Sequence, residues 1–122
     1  MSDALNTFFD AWGEADADKR ASMIADSVAE GGLYSDPRSG ARLDTHGAIA
    51  EYVGMFSANA PGWTAKVVKS DNVNGYVRAI VAFGGKGPDG NEMVQHGTYF
   101  ADAGADGKLT LIAGFVGLGS IE

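Results

Sequence analysis

The hydrophobic pattern of the chain changes period once, near Trp63, from helical spacing to strand spacing. From Asp3 to Ala15 the apolar residues Leu5, Phe8, Phe9, Trp12 and Ala15 recur every three or four positions, with Ser2 or Asp3 available as a cap, which predicts a first helix. The segment Lys19–Glu30 places Ala21, Ile24 and Val28 on one line. Asp16 or Asp18 can cap this second helix, and Gly31 and Gly32 can stop it. Leu33–Asp36 then reads as a short strand and Pro37–Arg42 as a polar loop. A third helix is expected from Asp44 or Thr45 to about Ser57, with Ile49, Tyr52, Val53 and Phe56 on one face and Asn59, Pro61 and Gly62 after its end.

Beyond Trp63, turn signals at Asn74-Gly75, Pro88-Asp89-Gly90 and Asp106-Gly107 separate four expected strands. These are Trp63–Val73, Tyr76–Gly84, Glu92–Ala103 and Lys108–Gly117, arranged as an antiparallel meander. The second carries Val77, Ala79, Val81 and Phe83 on one face and Arg78, Ile80 and Ala82 on the other. An antiparallel strand wetted on one side alternates apolar with polar residues, and this one does not. The last strand is similar, with Leu109, Leu111, Ala113 and Phe115 set against Ile112, Val116 and Leu118. Three helices cover one face of such a sheet, so the outer face is expected to meet a second copy, giving a homodimer.

Composition narrows the function classes. A chain of 122 residues with 45% hydrophobic content suits a single domain spanning 1–122. The absence of cysteine excludes disulfides, thiolate metal sites and a thiol nucleophile, and fits a cytoplasmic location. A net charge of -7 disfavours nucleic acid as a partner. The N-terminus lacks a positive region before an apolar core, and no apolar run is long enough to span a membrane, so a soluble protein without membrane association is expected.

The candidate chemistry centres on Asp36. Pro37 has a fixed φ and pushes Asp36 toward extended geometry, so the carboxylate sits at a defined strand end. Among aromatic helices it would be partly desolvated, as suits a general base; alternatively it hydrogen-bonds the Pro37–Gly40 turn. His96 is either a hydrogen-bonded strand residue or, on a concave face, a donor or base. His46 is expected in the exposed first turn of the third helix. The two histidines share no metal-ligand spacing, and neither a metal nor a cofactor is expected. A literal GxGxxG occurs in GKGPDG at Gly85–Gly90, but it leads through a turn into a strand, where a dinucleotide fingerprint needs a helix.

In sequence order, FFDAW at Phe8–Trp12, YSDP at Tyr34–Pro37, GYVR at Gly75–Arg78, HGTYF at His96–Phe100, and the stretch from DGK to GFVG at Asp106–Gly117 resemble the SnoaL-like group of the nuclear transport factor 2-like superfamily over nearly the whole chain. The resemblance implies an α+β cone, with a strongly curved sheet (a meander plus one short strand) packed on three N-terminal helices and an apolar pocket at the open end. It implies cofactor-independent proton transfer of isomerase, cyclase or dehydratase type on a small, largely apolar molecule, or a non-catalytic binding or assembly module of the same fold. By comparison with ketosteroid isomerase, Asp36 matches the base; the phenol of the first helix falls at Phe8, and the protonated aspartate near Tyr99, or Thr98 if the register slips. Epoxide hydrolase members use an Asp, Arg, Asp set, of which Asp36 and Arg78 could supply two. The expected catalytic residues are therefore Asp36 with His96 or Tyr99. The expected pocket lining is Phe8, Trp12, Tyr34, Phe56, Arg78, Thr98 and Phe115. A one-residue shift of the last strands exchanges the inner and outer residues, so His96 and Thr98 share a face with Tyr99 only across a bulge.

Overall fold

The computed structural model describes residues 3–118. Three helices come first: α1 (Asp3–Asp10), continued by a 3-10 turn at Ala11–Gly13, then α2 (Ala17–Ser27) and, after the first strand, α3 (His46–Asn59). The cap expected from Ser2 or Asp3 lies outside the described residues and side chains. Asp16 caps α2 by accepting from the Asp18 and Lys19 amides, and Thr45 caps α3 by accepting from the Ala48 amide at 3.0 Å.

The five strands are β1 (Val28–Ser35), β2 (Thr64–Val73), β3 (Tyr76–Lys86), β4 (Glu92–Ala103) and β5 (Leu109–Val116), ordered β1-β5-β4-β3-β2. Strands β2 to β5 form the antiparallel meander, and β1 joins β5 in parallel, so the sheet is mixed, curved and unclosed. The Asn74-Gly75 turn has φ of 52° and 94°, the pair of positive angles that a two-residue hairpin requires. GKGPDG is likewise a hairpin, with the Gly90 amide donating to the Gly87 carbonyl and the chain running on into β4.

The start of β1 differs from the sequence expectation. Val28 does not continue α2 but pairs with Leu109, and the strand register slips between Val28 and Leu33, where Gly31 takes a φ of 74°. The two glycines therefore bend a strand instead of ending a helix. Gly32 also allows close approach, since a Cβ there would stand 2.8 Å from the Leu109 carbonyl oxygen.

The helices cover one face of the sheet. Ala65, Ala79, Val81, Tyr99, Ala101 and Ile112 point into that layer and pack with Leu5, Phe8, Phe9, Trp12, Ile24, Ile49 and Val53 from the helical side. The opposite face carries Ile80, Ala82, Val94, His96, Thr98, Phe100, Leu111 and Phe115, as the continuous pairing of β3 with β4 requires. Among the described residues no helix is long and apolar enough to cross a membrane.

Candidate functional site

Asp36 follows the last residue of β1, where Pro37 begins a turn whose amides meet the carboxylate. Oδ1 accepts from the backbone N–H groups of Arg38 and Ser39, both at 2.9 Å. The same carboxylate also faces inward. The Tyr34 hydroxyl donates to Oδ2 at 2.6 Å, and the Tyr52 hydroxyl reaches Oδ1 at 2.6 Å and Oδ2 at 2.7 Å. Turn-making and site-facing geometry, alternatives at the level of sequence, thus coexist in one side chain.

Each phenol reaches Asp36 from a different element. Tyr34 lies two residues before it in β1, so strand alternation puts both side chains on one face. Tyr52 projects from α3 on the stripe it shares with Ile49 and Phe56. Tyr99, from β4, places its hydroxyl 3.3 Å from that of Tyr34. Tyr34 has a single proton, and a carboxylate can only accept, so the chain of donors runs from Tyr99 to Tyr34 to Asp36. Gly114 and Gly97 make room for the Tyr99 ring: a Cβ at Gly114 would collide with its Cε2, and one at Gly97 would stand 3.0 Å from its Cε1.

The three phenols are held neutral. Burial, the largest cause, raises Tyr34 well above the usual phenol range, with the neighbouring Tyr99 and Asp36 adding to it. Tyr52 is raised by partial desolvation and by its hydrogen bond to Asp36. Burial pushes Tyr99 up to about 12. All three are therefore hydrogen-bond donors at neutral pH.

Beneath these hydroxyls the interior is aromatic. The Trp12 ring centroid lies 5.2–6.2 Å from those of Phe8, Phe9, Tyr34, Tyr52, Phe56 and Phe83. Trp12, Phe8, Phe9 and Tyr34 are fully buried, whereas Tyr52, Phe56 and Phe83 are half-buried and border the solvent. Among the described residues Trp12 Nε1 is buried without a hydrogen-bond partner. A hollow of about 820 Å³ lies elsewhere, on the outer face of the sheet, against Thr64, Lys66, Val68, Ala82, Met93 and Val94.

Of the residues singled out by sequence, Asp36, Tyr99, Phe8, Trp12, Tyr34 and Phe56 come together here. Four do not, and for them the expected inward placement is corrected. His96 is exposed on the outer face, because no bulge interrupts β4 between it and Tyr99. Thr98 points the same way and donates to the Gly117 carbonyl at 2.8 Å. Arg78 is exposed and pairs with Asp71 at 3.0 Å. Phe115 stands 57% exposed on the outer face, edge-on to Phe100. His46 is half-buried and not exposed, with Nε2 2.7 Å from the Val28 carbonyl oxygen.

The residues that sequence reasoning did not place in the site are Tyr52, Phe9 and Phe83. Tyr52 was readable only as a member of an apolar helix stripe. Its one distinguishing signal is a hydroxyl on that stripe, which a buried environment has to satisfy. Phe9 and Phe83 carry no polar atom to signal anything beyond burial.

No protein-family model and no curated protein matches the sequence. Solved structures do. An inferred isomerase of the SnoaL-like family from Agrobacterium tumefaciens superposes with a TM-score of 0.77 at 22% identity, over 93% of each chain. A protein of ketosteroid isomerase-like fold from Catenulispora acidiphila, solved with trimethylamine, gives 0.75 at 14% identity, over 98% of this chain and 88% of its own. A nuclear transport factor 2-like protein of unknown function from an Exiguobacterium species gives 0.72 at 20% identity, over 96% and 99%. Element order, sheet topology and these superpositions agree, and the chain has the nuclear transport factor 2-like fold that SnoaL-like and ketosteroid isomerase-like proteins share.

Proposed function

We propose that the protein transforms a small, largely apolar molecule by cofactor-independent proton transfer, of the isomerase or cyclase type, with Asp36 as the base. The observation that carries this reading is the Asp36 carboxylate held by two phenols at 2.6 Å each, at the half-open edge of a buried aromatic cluster. In such a reaction the C–H bond beside a carbonyl breaks, its proton goes to the Asp36 carboxylate as the half-buried Tyr52 hydroxyl gives up its place there, and the electron pair moves onto the carbonyl oxygen as an enolate. The proton then returns to a different atom of the same molecule, so no oxidant or reductant is needed. Tyr34 and Tyr52 fix the carboxylate's orientation, and Tyr99 acts through Tyr34 as a positioning residue. The fold neighbour from Agrobacterium tumefaciens that is named as an isomerase supports the reaction class by analogy.

A second reading, a non-catalytic binding or assembly module, is favoured by the aromatic rings that occupy the space beside Asp36 and by the apolar outer face, which suits a second copy of the chain. One experiment separates the two. Small cyclic ketones and enones are incubated with the protein in D2O, and loss of the proton signal beside the carbonyl is followed by NMR. On the catalytic reading the protein accelerates exchange, and Asp36→Asn lowers the rate by about 10²–10⁴-fold while the fold is retained. Exchange that is absent, or unchanged in Asp36→Asn, leaves the binding module.

A further inference from the structure

The hollow on the outer face of the sheet takes no part in the proton transfer at Asp36, and strand register sets its floor. Thr64 pairs with Gly84 and Lys66 with Ala82, while Val94 pairs with Gly84 and His96 with Ala82. These residues lie on the face away from the helices, since Ala65, Val81 and Tyr99 beside them point inward. Ala82 and Gly84 extend no further than a methyl group, so the centre of the hollow is nearly bare strand, flat and apolar. Its sides are longer: Lys66 and Val68 rise from β2, and Val94 from β4. Val68 sits where the β2 register slips against β3, a bulge of the kind that bends an edge strand. The volume of about 820 Å³ falls in the range of roughly 300–1,000 Å³ usual for small-molecule sites.

The end wall is held in place. Pro61 and Gly62 border the hollow, and the next residue, Trp63, donates its Nε1–H to the Lys86 carbonyl at 3.0 Å. Gly85 makes that packing possible, because a Cβ there would collide with the Trp63 ring. Charge then gives the hollow a sign. Its lining holds two cations, Lys66 and Lys86, against one anion, Glu92, in a chain of net charge -7. Among the described residues the ion pairs are Lys19–Glu14 and Arg78–Asp71, so both lysines keep their charge for a ligand. At physiological salt the rest of the acidic surface is screened over about 8 Å, and a molecule seated on Gly84 meets chiefly these three charges.

We infer that this hollow is a second binding site, which takes an aromatic monocarboxylate laid flat on Ala82 and Gly84 with its charge toward Lys66 and its ring edge against Val94. Each part of the site argues for a part of that ligand. A floor without long side chains accepts a ring face, and the exposed Val68 and Val94 gain cover from its edges. An ammonium would be repelled by Lys66 and Lys86. A phosphate dianion would exceed the single net positive charge and face Glu92, which opposes Lys86 in the β3–β4 pair. A monocarboxylate cancels that charge with none left over, and the Thr64 hydroxyl can donate to it. The apolar Phe100–Phe115 patch ends before the hollow: Phe115 lies level with Thr98 and Ile80, and the next outward rows are Ala82 with His96, then Gly84 with Val94. The site is also separate from Asp36, whose phenols point to the helical side of the sheet.

Titration of the full chain followed by 1H–15N NMR tests this, with 2-naphthoate as the ligand and 2-naphthamide, 2-naphthyl phosphate and acetate as controls. 2-Naphthoate should saturate with a Kd of about 1 mM or below, as suits an open site and a ligand of this size. Its shifts should centre on the amides of Ala82, Gly84 and Val94 and on the Trp63 indole, and leave in place the Arg38 and Ser39 amides that meet Asp36. Each control should bind at least about threefold more weakly, and Lys66→Gln should weaken 2-naphthoate by about threefold. Ala82→Leu, which fills the floor, should weaken it by about tenfold or more. Lys19→Gln, an equal change of charge on α2, and Asp36→Asn should leave the affinity unaltered. Failure to saturate below about 10 mM overturns the inference, as do shifts centred on Arg38 and Ser39. Equal binding of 2-naphthamide, or tighter binding of 2-naphthyl phosphate, overturns the ligand class. Equal effects of Lys19→Gln and Lys66→Gln overturn the placement, as does a folded Ala82→Leu that binds like the wild type; if Ala82→Leu does not fold, Lys66→Gln at the exposed rim decides the placement by itself.

Discussion

Tyr34 and Tyr52 donate to the same carboxylate at the same distance, yet their removal should not cost the same. Tyr52 is half-buried, so in Tyr52→Phe water can approach Asp36, and a loss of about 1 kcal/mol in unfolding free energy is expected. Tyr34 is fully buried and also accepts from Tyr99, so Tyr34→Phe strands a second hydroxyl and should cost about 2–3 kcal/mol. Urea unfolding of both variants checks the order. The same phenols make the fold base-sensitive. A free tyrosine ionises near pH 10, whereas burial holds Tyr99 to about 12 and raises Tyr34 and Tyr52 as well. Between these values the unfolded chain has fewer protons bound than the folded one. The phenols' contribution to stability is therefore complete below about pH 10 and falls as pH rises, through about 12 for Tyr99 and at higher pH for Tyr34 and Tyr52. Unfolding free energy measured from pH 8 to 11.5 should fall above pH 10, and less steeply in Tyr99→Phe. At this scale the sequence spoke clearly only where chain chemistry was local: Asp36 and Tyr34 sit two residues apart at one strand end, and Pro37 fixes the turn after them. Tyr52 is sixteen residues away on a helix, and only tertiary packing brings its hydroxyl to Asp36.

The elements were legible wherever local chemistry terminates them. Asp16 and Thr45 cap helices, and the three turns of the meander fall at their glycines, because each stop signal acts within its own few residues. The start of β1 was not legible, since pairing of Val28 with Leu109, distant in sequence, outweighs the helical pattern that runs on to Glu30. The faces of β4 were open in the sequence for the same kind of reason: only the unbroken register against β3 sends His96 out and Tyr99 in. That register also explains why glycines lie opposite and beside the Tyr99 ring. Two identical substitutions should therefore change stability in opposite directions. Gly114→Ala drives a Cβ into the buried ring and should destabilise by about 1–3 kcal/mol, while disturbing the Tyr99–Tyr34 contact. Gly47→Ala, in the first turn of α3 with nothing within 4 Å, should stabilise by up to about 1 kcal/mol. Thermal unfolding of the two variants reads the contrast directly.

At the scale of the whole molecule, one face of the sheet is buried by helices and the other is left apolar. Phe100 and Phe115 stand 46% and 57% exposed and pack edge-on at 5.9 Å, flanked by Leu111 and the half-buried Ile80 and Ala113. A contiguous patch of this kind on a wetted sheet is unfavourable in isolation. A twofold-related copy is a suitable cover, because a two-fold contact needs only one self-complementary surface and the patch carries few charges to repel its own image. The exposed Arg78–Asp71 pair, at the margin of the face, supplies both signs to a polar rim. Sedimentation at micromolar concentration should therefore give twice the chain mass, and Phe115→Glu should shift it to the monomer by placing a charge in the centre of an apolar contact. The two faces share the sheet but not their side chains, since the residues of Asp36's cluster point inward and Phe115 outward. Ketone binding should accordingly persist in the Phe115→Glu monomer, weakened by less than about tenfold. A monomeric wild type would leave the outer face without a partner, whereas a dimer whose disruption abolishes binding would mean that the second copy completes the site.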